Sequence, residues 1–141
     1  MSEKELQEKV MMYRIIESRL DALIRQRDLF LNKIAEMQNT LASIEEIEKT
    51  NEEILFPIGS EAYAPGKVVD KNKIIVEVGA GIVIEKNFAE AKETILKRSD
   101  DIEEAVIEIQ QDVQKLDMSL NVLEPEIRDL MQKGKSEAEA G

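Results

Sequence analysis

Apolar residues recur at alternating three- and four-residue spacing in two long stretches of the chain, and the two stretches flank a middle with a different pattern. The first comb is Tyr13, Ile16, Leu20, Leu23, Arg27, Phe30, Ile34, Met37, Leu41 and Ile44, with Arg27 as its one break. The second is Ile102, Val106, Ile109, Val113, Leu116, Leu120, Leu123, Ile127 and Leu130, and Phe88 and Ile95 extend its seven-residue column backwards. A 3.5-residue repeat sustained this long asks each helix for a coiled-coil partner. Setting position i of the first stretch against 136 minus i of the second brings seam to seam, with Leu6 facing Leu130, Tyr13 facing Leu123, Leu20 facing Leu116 and Ile34 facing Ile102. Only Met37 with Ser99 and Ile44 with Lys92 match poorly. The pattern predicts a long antiparallel two-helix hairpin with arms of roughly 65 Å.

The middle reads as four short strands, 54–58, 62–69, 74–78 and 82–86, from its density of β-branched residues and its bounding glycines. Gly59-Ser60, Asp70-Lys71-Asn72 and Gly79-Ala80-Gly81 mark the turns, and Asn87 is suited to cap the second helix. Pro57 and Pro65 each lack a ladder donor, which puts strands one and two at edges or at a bulge. Four short strands cannot bury two faces, and their edges invite another strand. The expectation is therefore an α+β chain with a central four-strand β region that oligomerises, the candidate contacts being Leu55, Phe56, Ile58, Val68, Ile74, Ile75, Val76, Val78, Ile82, Val83 and Ile84. One domain spanning 1–141 is expected, with helix 1 over 5–50, the β region over 53–86, helix 2 over 87–133 and a disordered tail over 134–141.

Composition narrows the function more by exclusion than by indication. With no histidine and no cysteine, the chain lacks the usual proton shuttle, thiolate nucleophile and best zinc ligands. Gly79-Ala80-Gly81 lacks the third glycine and the strand-to-helix setting of a phosphate loop, and Ser60 has no base to activate it. The carboxylate runs Glu45-Glu46-Glu48 and Asp100-Asp101-Glu103-Glu104 read as solvated helix faces. No catalytic residue, metal site or cofactor is expected, and the chain reads as no enzyme.

Charge is uneven. Residues 1–52 hold eleven acidic and eight basic side chains, net −3; residues 53–87 hold five and four, net −1; residues 88–141 hold fourteen and seven, net −7. An acidic second arm disfavours nucleic acid and anionic membrane surfaces. It reads first as a solvated face that keeps the chain soluble and second as a preference for basic partners. Residues 1–9 are charged, and no apolar run approaches the length of a membrane span, so a cytoplasmic location is expected.

Near the expected tip, apolar residues also lie beside the seam: Val10, Met11, Met12 and Ile15 in the first stretch, Met118, Val122 and Met131 in the second. Methionine's flexible thioether suits surfaces that accept varied apolar partners. Leu6, Val10, Met11, Met12, Ile127, Leu130 and Met131 are the candidate binding residues at that tip.

This order of helix, two hairpins' worth of strand and matching return helix resembles the α-type subunits of the prefoldin family, archaeal and eukaryotic co-chaperones. The residues that carry the likeness are Leu55-Phe56-Pro57-Ile58-Gly59, Val78-Gly79-Ala80-Gly81 followed by Val83-Ile84-Glu85-Lys86-Asn87, and Pro125 late in the second helix. It covers roughly residues 5–133. The resemblance implies a hexamer with β-type subunits, in which the strands build a β-barrel hub. It also implies ATP-independent capture of unfolded or nascent proteins at the coiled-coil tips and their delivery to a group II chaperonin. Some relatives self-associate, even as filaments. The alternative is a structural coiled-coil adaptor or filament-forming spacer that binds one fixed partner.

Overall fold

The structure, a computed structural model, describes residues 2–140. Its elements are helix α1 (Ser2–Lys49), strands β1 (Ile54–Gly59), β2 (Ala62–Gly66), β3 (Ile74–Gly79) and β4 (Ile82–Lys86), and helix α2 (Phe88–Ala140). The chain divides into two compact units: the stretches up to Asn32 and from Glu103 onward form one, and Lys33–Ile102 forms the other.

In the first unit α1 and α2 run antiparallel, with Leu6 beside Leu130 and Val10 beside Ile127 and Met131. The covered positions follow the comb. Tyr13, Ile16, Leu20 and Leu23 are half-buried, whereas Val106, Ile109, Leu120 and Leu123 are buried. Arg27 keeps its stem half-covered, and its guanidinium reaches Asp28 at 3.3 Å rather than the Glu108 or Asp112 that an edge-seeking side chain at this position suggests. An acceptor one residue away on the same helix needs less ordering of two long side chains than one across the seam. Pro125 lies inside α2 without ending it. The carbonyl it leaves without a helical donor belongs to Asn121, which is exposed, so water can satisfy it.

The helix also continues beyond the expected end at 133, through 134–140, so the disordered tail expected there is corrected to helix; Gly141 lies outside the described residues. Gly134 alone does not stop it, because Ser136-Glu137-Ala138-Glu139-Ala140 is a run of mostly good helix formers.

The second unit holds both hairpins as separate two-stranded antiparallel sheets, so each strand is paired on one side only. They are built alike. Ile54 pairs with Gly66 and Phe56 with Ala64 in the first, and Ile74 pairs with Lys86 and Val76 with Ile84 in the second, with a register shift before Gly59 and before Gly79. In each, the glycine after the bulge has positive φ (114° and 123°) and two further left-handed residues follow, Ser60-Glu61 and Ala80-Gly81. That is the twist a tight hairpin turn requires, and in the first hairpin two side-chain-bearing residues adopt it against their preference. Gly66 is favoured for a different reason, since a Cβ there would stand 3.0 Å from the ring of Phe56, which would have to give way.

Strand β2 stops at Gly66 rather than running to 69, so Val68 lies outside any strand and Val69 is fully exposed. The cause is pairing: β1 begins at Ile54, opposite Gly66, and nothing faces the residues beyond. The chain turns at Asp70, whose carboxylate accepts from the Asn72 amide at 2.9 Å. Lys71 then reaches back to donate to the Thr50 carbonyl and the Asn51 side chain just past α1.

The core of this unit is Ile44, Val76, Phe88 and Ala91, with Ile47, Ile74 and Ile95 packed against it. Period-two alternation explains the selection from β3, which turns Ile74 and Val76 toward the helices and leaves Ile75 outside. The two poor seam matches are tolerated locally. Met37 and Ser99 are both buried, and Lys92 sends its ammonium out to Glu48 while Ile44 stays buried.

Asn87 starts α2 as expected. Its side-chain oxygen accepts from the Glu90 amide at 2.8 Å, and its side-chain amide donates to the Glu90 carboxylate at 2.6 Å. The first bond satisfies a backbone donor that the helix cannot, and the second holds the Glu90 side chain against the cap. Asn87→Ala is expected to lower stability by about 1 kcal/mol, read as a lower melting midpoint by circular dichroism; Asn87→Asp should keep most of it.

Candidate functional site

Two surfaces stand out, one in each unit. In the first, Met11, Met12, Met118 and Met131 are 65%, 52%, 68% and 59% exposed, and Ile15 and Val122 are exposed with them. All six lie off the seam, and Met118 and Val122 are one helical turn apart on α2, as Met11 and Ile15 are on α1.

The seven candidate tip residues therefore divide. Met11, Met12 and Met131 present free surface, while Leu6, Val10, Ile127 and Leu130 are half-buried between the helices. Val10, Ile127 and Met131 line a mainly apolar groove of about 340 Å³ with Tyr13, Arg14, Glu17 and Glu124. Leu6 and Leu130 share a second, more polar depression with Ser2, Glu3, Gly134 and Glu137. The candidate set omitted the exposed Ile15, Met118 and Val122, which the sequence marks as off-seam, and also Leu29, Leu31 and Ile107 further along the same unit. Their signal was an apolar residue one or two places off a comb position.

In the second unit, Leu55, Ile58, Ile75, Ile82 and Val83 are exposed, as are Phe56, Val78 and Ile84 to a lesser degree. Val68 and Ile74 are half-buried and Val76 is buried. The eleven residues expected to build contacts between chains thus include two, Ile74 and Val76, that already pack within this one. A groove of about 590 Å³ runs beside β3, lined by Thr40, Ile44, Ile95 and Arg98, and Arg98 donates to the Glu77 carbonyl at 2.8 Å.

Among the described residues, each unit carries one cross-helix ion pair, Lys9 with Glu126 in the first and Lys92 with Glu48 in the second. The carboxylate hydrogen bond raises each ammonium's pKa above its ordinary 10.5, against partial desolvation that lowers it. A raised lysine pKa contributes stability that is complete below 10.5 and lost as pH climbs through the folded value. The melting midpoint is therefore expected to hold from neutral pH to about 10 and to fall above 10.5. A Lys9→Gln, Lys92→Gln double variant should start lower and lose less over that range.

Among the described residues, no group of His, Cys, Asp or Glu is placed to hold a metal ion, and no helix is long and apolar enough to cross a membrane. Both surfaces are apolar and carry no reactive constellation. Exposed apolar surface of this kind is suited to burial against another chain.

Comparison with known proteins adds identity to this geometry. A family model described as Prefoldin subunit matches residues 16–133. The chain is 30% identical to prefoldin subunit alpha of Pyrococcus horikoshii over 133 residues, covering 92% of this chain and 90% of that protein. It is 33% identical to prefoldin subunit alpha of Archaeoglobus fulgidus, covering 73% and 77%. The cryo-EM structure of a filamentous PFD from Methanocaldococcus jannaschii superposes with a TM-score of 0.69 at 23% identity, covering 78% of this chain and 93% of that one. That last likeness is one of fold.

Proposed function

The chain belongs to the prefoldin family of chaperones, and from that premise we propose that it acts as an ATP-independent holdase subunit that captures unfolded or nascent proteins on the off-seam apolar residues of its first unit. The observation that carries this reading is the exposure of Met11, Met12, Ile15, Met118, Val122 and Met131 on helices whose own seam is already filled. Side chains of this kind bind extended apolar segments without demanding one shape, and several copies in one assembly raise the effective concentration for a long client.

Assembly is assigned to the second unit, whose strands are paired on one side only and keep apolar residues outside. The reading includes β-type subunits as partners in a hetero-hexamer, with self-association as the alternative, and delivery of clients to a group II chaperonin in the cytoplasm. No catalytic step is part of it. The adaptor reading differs in one respect, that the same apolar residues would serve a single folded partner.

The test combines native mass, measured for the chain alone and with a β-type subunit, with light scattering as a denatured protein is diluted from guanidinium. Suppression of aggregation without ATP, for several unrelated test proteins, is the expected result. Suppression of none of them, by a correctly assembled complex, would return the chain to the adaptor class.

A further inference from the structure

Side-chain sulfur in this chain is confined to methionine, since there is no cysteine. Among the described residues, the methionines are sorted by environment. Met37 is buried, at 7% exposure, in the unit that carries the hairpins. Met11, Met12, Met118 and Met131 are all more than half exposed, and all four lie in the other unit. Apart from Arg27, the seam of that unit is aliphatic and aromatic, with Tyr13, Ile16, Leu20 and Leu23 on α1 and Val106, Ile109, Leu120 and Leu123 on α2.

An accessible thioether reacts with a peroxide in a balanced two-electron step. The sulfur lone pair attacks one peroxide oxygen, the S–O bond forms as the O–O bond breaks, and the second oxygen leaves as hydroxide, which takes the proton of the sulfur-bound hydroxyl to give water and the neutral sulfoxide. The flexible apolar side chain becomes a polar, chiral sulfoxide, and sulfoxide reductases reverse the change. In a packed core this would disrupt the fold. Here the four reactive sulfurs sit where folding does not use them.

We propose that Met11, Met12, Met118 and Met131 form a redox modification site, at which a peroxide turns the apolar surface polar and suspends capture while the chain stays folded and assembled. The inference rests on the client-binding reading above. Its distinguishing feature is separation of function from stability: the modification reaches the sulfurs that bind and spares the one that packs.

The test uses the full-length assembled protein and hydrogen peroxide. Peptide mass spectrometry is expected to find one added oxygen on each of the four methionines and none on Met37, with helicity and native mass unchanged. The concentration needed for half-maximal suppression of aggregation should rise about tenfold, equivalent to about 1.4 kcal/mol, and return after treatment with methionine sulfoxide reductases A and B. Undiminished suppression with all four sulfoxides present overturns the inference, as does loss of helicity or assembly on oxidation. An untreated Met11→Glu, Met131→Glu protein separates the two readings. If it also suppresses fully, capture at these residues is wrong; if it fails while the sulfoxide form succeeds, only the redox inference falls.

Discussion

Ile75→Asp is expected to dissolve the assembly and leave the protomer folded, whereas Val76→Asp, one residue on, is expected to damage the protomer itself. The two side chains leave β3 on opposite faces. Val76 is 8% exposed and sits among Ile44, Phe88 and Ala91, where a carboxylate would have no partner. Removing an apolar side chain and burying an unpaired acid there is expected to lower stability on the order of 3–5 kcal/mol, even if the acid takes up a proton. Ile75 is 66% exposed and pairs across the hairpin with Glu85, so in an isolated chain its substitution should move stability by only about 0.5 kcal/mol. Its effect appears only where a second chain covers that face. Sedimentation velocity and thermal circular dichroism, run on both variants, separate the outcomes. Wild-type mass for both would place the assembly interface away from β3, and a wild-type melt for Val76→Asp would remove it from the core.

That contrast also marks where the sequence pattern stops being informative. Ile74, Ile75 and Val76 are all β-branched, so the stretch is recognisable as a strand while nothing in it says which face turns inward. The helices were legible because burial every 3.5 residues leaves an imprint on each turn, and every comb position is half-covered or buried. Ala91 left no such imprint. It is the most buried of the described residues, at 0% exposure, yet alanine is compatible with any helix face, and its burial comes from Val76 and Ile44 arriving from elsewhere in the sequence. Val68 misled for a related reason. A valine after a strand reads as more strand, and only the point at which its partner strand begins limits the ladder. The cap at Asn87 was readable because its partners are three residues away. The partner of Arg27 was not, because several acidic residues lie within reach of one long side chain and local geometry chooses among them.

The same division between packing and presenting residues sets the second large effect, at the far end of the helices. Converting Met11 and Met131 to Glu is expected to abolish protection of a denatured test protein while helicity, native mass and melting midpoint stay close to wild type. Both side chains are more than half exposed, so two carboxylates there meet water rather than a core, and surface changes of this kind usually shift stability by less than about 0.5 kcal/mol each. For a bound apolar segment the same carboxylates must be desolvated or left unpaired, a cost repeated in every copy the assembly presents. Leu130→Glu serves as the contrasting variant. Leu130 is half-buried beside Leu6 between the helices, so its replacement should fray the ends of α1 and α2 and lower the melting midpoint whatever it does to clients. The chain's acidity, net −11, gives the two added charges a second consequence: clients rich in lysine and arginine should retain more of their protection than apolar, acidic ones, and more so at low salt. Light scattering against a basic and an acidic test protein, at low and at physiological ionic strength, reads both effects in one experiment. Undiminished protection of both proteins by the doubly substituted chain would move client binding from the exposed methionines and the groove that Met131 lines to the hairpin surfaces.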